Sequence, residues 1–342
     1  LSFFIVTNLA REKRQLALLR RGLLFLATVV AAAMLAQFVL GESLAVLPGR
    51  VQTLSTLGRD YPGVCRMNPP GQSLVLVGFI VTSVSLALGE LTWTAVLRFF
   101  HWCLLGLTVV LTFNRSYWVG AILVLLVLAC LARGRDRQRL VGWGLAAVFL
   151  ATVVLLPMLG RPQAQLAQLA SAFYDRLSSL AGPETYSGRE STFRWRRTEY
   201  EYALPALFSR PLIGLGLGAR YLPMDPRLDW EASDDSGFDG RGYIHNGHLW
   251  VLVKSGSLGC LCFMCLSVAF LIRGFKYWRS IRSAEMRGPV LGFTLTYLGV
   301  LIGSVSSPMV MEWSWTPVIG LMMGFNEAAL RLANGRSSST PR

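Results

Sequence analysis

The sequence predicts an all-α protein: a polytopic transmembrane helix bundle with a large, partly helical loop on one side. Three observations carry this. Apolar residues fill 53% of the 342 positions and charged residues only 15%, against about 25% charged in an ordinary soluble domain. Apolar runs of membrane-spanning length recur along the chain. The excess positive charge is confined to short loops that fall on one side of those runs.

The runs lie at about 22–40, 73–89, 92–112, 116–132, 140–159, 248–272, 288–306 and 309–330, which makes eight helices. Residues 1–10 (LSFFIVTNLA) read as the end of a further span that starts before this sequence. A secretory signal has its positive charges ahead of the apolar stretch, whereas here they follow it. The expected organisation is one integral membrane domain over 1–342, incomplete at its N-terminal end, with 160–247 as a large loop within it.

Charge fixes the orientation. Segments 11–21, 133–139, 273–287 and 331–342 hold 5, 4, 5 and 3 Lys/Arg, with only Glu12, Asp136 and Glu285 among the acids. These four loops therefore contain the whole +14 excess, and the eight spans thread them onto one face, the cytoplasmic one. Nucleic acid is not needed to explain the charge. A disulfide scaffold is excluded as well, because five of the six cysteines (Cys103, Cys130, Cys260, Cys262, Cys265) lie in apolar runs and leave Cys65 without a partner outside them.

The opposite face receives 41–72, the turn at Asn114-Arg115, and the 88-residue segment 160–247 with its 10 Arg and 11 Asp/Glu. A loop of that length and polarity is more than a connector. Within it Phe193, Tyr200, Ala203, Leu204 and Leu207 recur at helical spacing, and Arg194, Arg196, Arg197, Glu199 and Glu201 take up much of the remaining surface. Such a helix suits the outer membrane face; the plainer reading of its charges is a solvated, self-paired surface. Arg210-Pro211 ends it. Gly214, Gly216 and Gly218 then form either a turn or a strip where backbone approaches a ligand closely. The strip does not sit between a strand and a helix, so a dinucleotide site is excluded.

His245-Asn246 stands where this loop meets the span 248–272. A histidine at a polar mouth is placed to accept a proton. His248 is three residues on, but nothing comparable to HExxH accompanies the pair, so no metal site is read. Arg115 interrupts the apolar stretch 92–132 on the same face as His245, where a charge is paired, snorkelled or functional. Arg98, towards the cytoplasmic end of its span, reads as a snorkelling residue.

These residues resemble the O-antigen ligase/polymerase superfamily: lipopolysaccharide ligases, Wzy-type polymerases and related bacterial oligosaccharyltransferases. The resemblance rests on Arg210-Pro211-Leu212-Ile213-Gly214-Leu215-Gly216-Leu217-Gly218 followed by YIHNGHLWVLVKSGSLG at 243–259. Asn114-Arg115-Ser116-Tyr117-Trp118 resembles the family's Ser-Arg turn with the order changed, and RDYPGVCRMNPPG at 59–71 is a fainter echo. Arg210 stands where the family carries histidine.

The resemblance implies glycan transfer from an undecaprenyl-diphosphate donor to a lipid, glycan or protein hydroxyl, at the periplasmic face of the bacterial inner membrane. Such a donor brings its own leaving group, so no cofactor and no metal are expected. His245 would be the general base, with Arg115 and one or more of Arg194, Arg196 and Arg197 on the diphosphate. Arg220 is a further candidate there, and Asn246 would orient His245 or a sugar hydroxyl. The alternative is a transporter or flippase of a lipid-linked glycan, which would carry ionisable residues near the middle of several spans.

Overall fold

A computed structural model describes residues 1–41, 46, 48–56, 58–89, 95–159, 164–179, 191–228 and 240–334, with the backbone alone at 50, 95, 151–159, 164–166, 191–194, 284 and 334. The Gly/Pro cluster at 182–188, the acidic stretch 229–239 and the tail beyond 334 lie outside the described residues.

Every apolar run is a helix. The order is α1 (Ser2–Leu9), α2 (Lys13–Leu40), β1 (Arg50–Thr56), β2 (Arg59–Asn68), α3 (Gln72–Leu88), α4 (Ala95–Leu111), α5 (Arg115–Leu131) and α6 (Arg135–Leu159). Next come α7 (Ala164–Ser178), α8 (Ser191–Ser209), α9 (Gly247–Tyr277), α10 (Ala284–Gly303) and α11 (Thr316–Asn334). Among the described residues, Lys13–Leu40, Gly247–Ser280 and Glu285–Gly303 are long and apolar enough to cross a membrane, and Gln72–Leu88, Val96–Leu111 and Arg115–Leu131 are shorter apolar helices.

Two boundaries differ from the sequence reading. The last span begins at Thr316 rather than 309, because α10 stops at Gly303 and 304–315 is a string of turns. Pro308 disfavours helix at Ser307, so α10 does not continue through it, and Met309 to Met311 lie in the turns before α11. The segment 41–72 holds an antiparallel hairpin, Arg50 opposite Asn68 and Thr56 opposite Arg59, with an irregularity between Thr53 and Leu54. Its buried face is Leu54, Tyr61, Val64 and Met67. The buried Arg176 of α7 donates from Nε to Phe113 O (3.1 Å) and from Nη1 to Thr56 Oγ1 (3.2 Å). One guanidinium thus joins the hairpin to the turn before α5.

The core centres on α3 and α10, which pack on each other; α10 also meets α5, α9 and α11. Hydrophobicity does not drive helices together inside lipid, so close packing must. At the α5–α10 crossing Gly120 faces Gly299, and a Cβ on Gly120 would lie 3.2 Å from Gly299 O.

The helix α9 breaks at Gly256 (φ 67°, ψ −174°), and a break leaves backbone groups that need partners. The glycine strip supplies them. Leu215 and Gly216 N–H donate to Val253 O (3.0 Å) and Lys254 O (2.9 Å), while Ser257 and Leu258 N–H donate to Pro211 O (2.8 Å) and Leu212 O (3.2 Å). The close approach that the glycines permit is therefore to another stretch of backbone. Gly214 (φ +69°) lies so near that a Cβ would sit 2.5 Å from Gly256 N and Lys254 O. Gly214→Ala is expected to cost about 2–3 kcal/mol, from left-handed strain plus overpacking. Gly218→Ala, with nothing within 4 Å of the new Cβ, should be near neutral; thermal unfolding of both variants in detergent checks the pair.

Candidate active site

The loop-to-helix junction at the start of α9 is the centre of the site. Asn246 caps the helix: its Oδ1 accepts Leu249 N–H at 3.0 Å. Helix α9 begins at Gly247, so His245 lies outside it. His248 is within it and pairs with Leu301 O through Nε2 (2.8 Å), which directs it at α10 and away from His245. A small apolar cluster of Ala203, Ile244 and Val253, flanked by Leu207, Leu215, Tyr221, Leu249 and Trp250, clamps α8 against this junction.

That clamp brings Glu199 under the imidazole. His245 Nδ1 lies 2.7 Å from Glu199 Oε1, and His245 N–H donates to Glu199 Oε2 at 2.9 Å. Trp195 Nε1–H donates to Oε1 at 3.0 Å. The Glu199 side chain is 1% exposed and that of His245 29%. Glu199 accepts the directed bonds from His245 N–H and Trp195 Nε1–H, and as a carboxylate it makes Nδ1 the donor of the ring contact. Tyr243 meets the His245 ring edge-on, with centroids 5.0 Å apart. Burial and the nearby Glu312 and Glu199 carboxyls push its phenol well up, so it remains a donor.

A cavity of about 480 Å³ opens over this dyad, lined by Arg196, Arg197, Glu199, Tyr200, Glu201, Leu204, His245, Asn246, Val305 and Ser306. Arg196 Nη2 donates to Ser306 O at 2.8 Å. Arg197, 84% exposed, reaches Glu201 at 3.2 Å, an exposed pairing of little strength. Glu201 also holds Arg227 at 2.8 Å, which in turn forks onto Asp225. Hydrogen bonds from Arg227 pull both carboxyls below their usual range. Asn246 Nδ2 donates to Tyr200 Oη at 3.1 Å.

Of the residues singled out in the sequence, His245, Asn246, Arg196 and Arg197 converge on this cavity. Arg115 opens α5 next to it. Its Nη1 donates to Ser179 Oγ (2.9 Å), while its neighbour Ser116 bonds the wall residue Ser306 at 3.0 Å between hydroxyls. Arg220 is exposed and outside the lining. The side chain of Arg194 lies outside the described residues. Glu199 was read in the sequence as surface charge, yet it is the most buried member of the site. Its signal was the four-residue spacing Trp195, Glu199, Ala203, which places it on the face that docks.

Glu312, on the loop 304–315, is a further, partly buried acid near Tyr243. Burial raises its carboxyl to about 7. A raised carboxyl costs nothing below its unfolded value near 4.5 and progressively more as pH rises to about 7, to a total of about 3 kcal/mol. Glu312→Gln should therefore raise Tm at pH 8 and leave it nearly unchanged at pH 4.5, as thermal unfolding at the two pH values would report.

Residues 99–264 match the family model described as O-antigen ligase. No curated protein and no solved structure matches the chain. The matched stretch runs from α4 into α9 and includes Arg115, Arg196, Glu199 and His245. Over residues 99–264, just under half of its length, the chain is thus similar to the O-antigen ligase family.

Proposed function

We propose that this protein transfers a glycan from an undecaprenyl-diphosphate donor to an acceptor hydroxyl at the periplasmic face of the bacterial inner membrane, by a single inverting displacement that requires no metal. The observation that supports this best is the His245–Glu199 pair under a cavity rimmed by Arg196 and Arg197. The acceptor oxygen attacks the anomeric carbon as its proton passes to His245 Nε2. The bond from that carbon to the phosphate oxygen breaks, and the diphosphate departs with the electron pair.

Glu199 holds the ring in the accepting tautomer and balances the imidazolium that forms. Arginine suits the departing group, because its planar fork makes charge-assisted, bidentate contacts to phosphate and stays ionised. Arg196 and Arg197 lie closest to the dyad in this reading. Arg115 is the next cation outward; Arg220, outside the lining, takes no part in the set. Asn246 fixes the helix start and turns its amide towards Tyr200 and the cavity, where sugar hydroxyls would lie. Charge arranged in advance for the leaving diphosphate favours the transition state over the bound ester, which lowers the barrier.

The test is turnover of a labelled polyprenyl-diphosphate glycan by the purified protein, supplied in turn with a lipid-core, a polyprenyl-linked and a peptide acceptor. Release of polyprenyl diphosphate with one acceptor class is expected. Arg196→Lys should lower kcat about 10-fold or more, since a point charge cannot reproduce a fork. Protein that binds the donor and releases no polyprenyl diphosphate with any acceptor would leave the transfer reading without support.

A further inference from the structure

The cavity mouth continues into a long apolar surface. Tyr200, Leu204 and Phe208 lie four residues apart on α8 and are all exposed, and Tyr200 and Leu204 line the cavity. Beyond the end of α8 the exposed series continues through Leu212, Ile213 (69%) and Leu217 (73%). In water a contiguous patch of this kind is a liability.

Its place on α9 says what covers it. Helix α9 divides at Gly256, and the part after it, as far as Tyr277, is by itself about 32 Å long, enough for the ~30 Å hydrocarbon core. The first turns, up to Gly256, therefore stand above the lipid. From Gly256 to Arg273 is about 26 Å, and along it Leu258, Leu261, Met264, Leu266, Val268 and Ile272 are exposed on a span with only 17% of its apolar window buried. That is a lipid-facing surface. The strip 211–216 is bonded to α9 from Val253 to Leu258, which sets it at the upper edge of the same surface.

Irregular backbone enters a low-dielectric layer only when its polar groups are satisfied. Here they are. Gly214 N–H donates to Arg210 O (2.9 Å), Leu215 and Gly216 N–H are taken by α9, and Pro211 and Leu212 carbonyls accept from it. The exposed Arg210 at the start of the strip suits the headgroup level, with its stem along apolar surface.

We infer that the loop 210–217 is a membrane anchor. Phe208, Leu212, Ile213 and Leu217 insert between the acyl chains of the leaflet on the cavity side, at the boundary with the headgroups. The occupant of this surface is phospholipid, and the loop holds the cavity mouth at Tyr200 and Leu204 level with that boundary. The anchor does not depend on the transfer chemistry and stands or falls separately from it.

The test places an environment-sensitive fluorescent amino acid at 213 or at 217, one position at a time, in the full chain in nanodiscs. Asp60, an exposed residue of the hairpin, is the control site. With phosphatidylcholine brominated just below the headgroup, emission at 213 and at 217 should be blue-shifted and lose intensity relative to unbrominated lipid, with no loss at 60. Both substituted residues are exposed, and thermal unfolding confirms the fold of each variant. Emission at 213 and 217 that is indifferent to bromine overturns the anchor. So does emission that follows the number of protein copies per disc, which would assign the surface to a second copy of the chain.

Discussion

His245→Ala is expected to lower the rate of glycan transfer by about 10²–10⁴-fold, the usual contribution of a positioned general base. The residual rate belongs to the arginines and to substrate positioning, which the substitution does not touch. Donor binding should survive, because in the proposed mechanism the ring takes a proton on Nε2 while Arg196 and Arg197 hold the diphosphate. The fold should survive as well: the side chain is partly exposed, and Glu199 keeps its bond from Trp195. The decisive measurement is single-turnover release of polyprenyl diphosphate alongside equilibrium donor binding. A variant that binds donor and turns over at the wild-type rate would remove His245 from the chemistry.

Glu199→Gln should come second, with a fall in kcat of about 10²-fold and little change in the donor's KM. The carboxyl receives three N–H groups, two of them from His245. An amide has one acceptor oxygen and turns an NH₂ towards the rest. One of the His245 contacts then becomes donor against donor, and the ring loses its tautomer, its orientation, or both. Because Glu199 acts through His245, the double variant should be no slower than His245→Ala alone. Additive losses would mean that the two residues work independently. Glu199→Asp keeps the charge and shortens the reach, so partial activity is expected from it.

Much of the architecture was open to direct reading. Spans are announced by run length and by the bias of Lys/Arg between loops, both local properties of the chain, and each predicted run is a helix. The misplaced boundary at 309 has a plain cause: Met309, Val310 and Met311 are as apolar as a span but follow Pro308, and a turn buries them just as well. The hairpin 50–68 escaped notice because its pattern is short and interrupted. Its burial depends on α7, which follows more than ninety residues after the end of the hairpin.

The site divides along the same line. His245 and Asn246 could be found from position alone, since each is a polar residue where a loop meets a membrane helix, whereas Arg196 could not be told from Arg194 and Arg197. For Glu199 the spacing Trp195, Glu199, Ala203 puts it on one face of α8, but only docking decides that this face turns inward. The glycine strip shows the same ambiguity. Three glycines announce a close approach, and nothing in the strip says whether the neighbour is a ligand or, as found, the broken backbone at Gly256.

Composition and run length by themselves determined that this is a membrane protein and where its apolar helices fall, because each such helix satisfies its own backbone and enters lipid on its own hydrophobicity. Only the tertiary structure decided that a buried acid from one segment supports a histidine 46 residues later, that two of the candidate arginines line their cavity, and that the glycines mend a helix. Those are contacts between distant stretches of chain, and their existence depends on packing geometry, which no local pattern encodes.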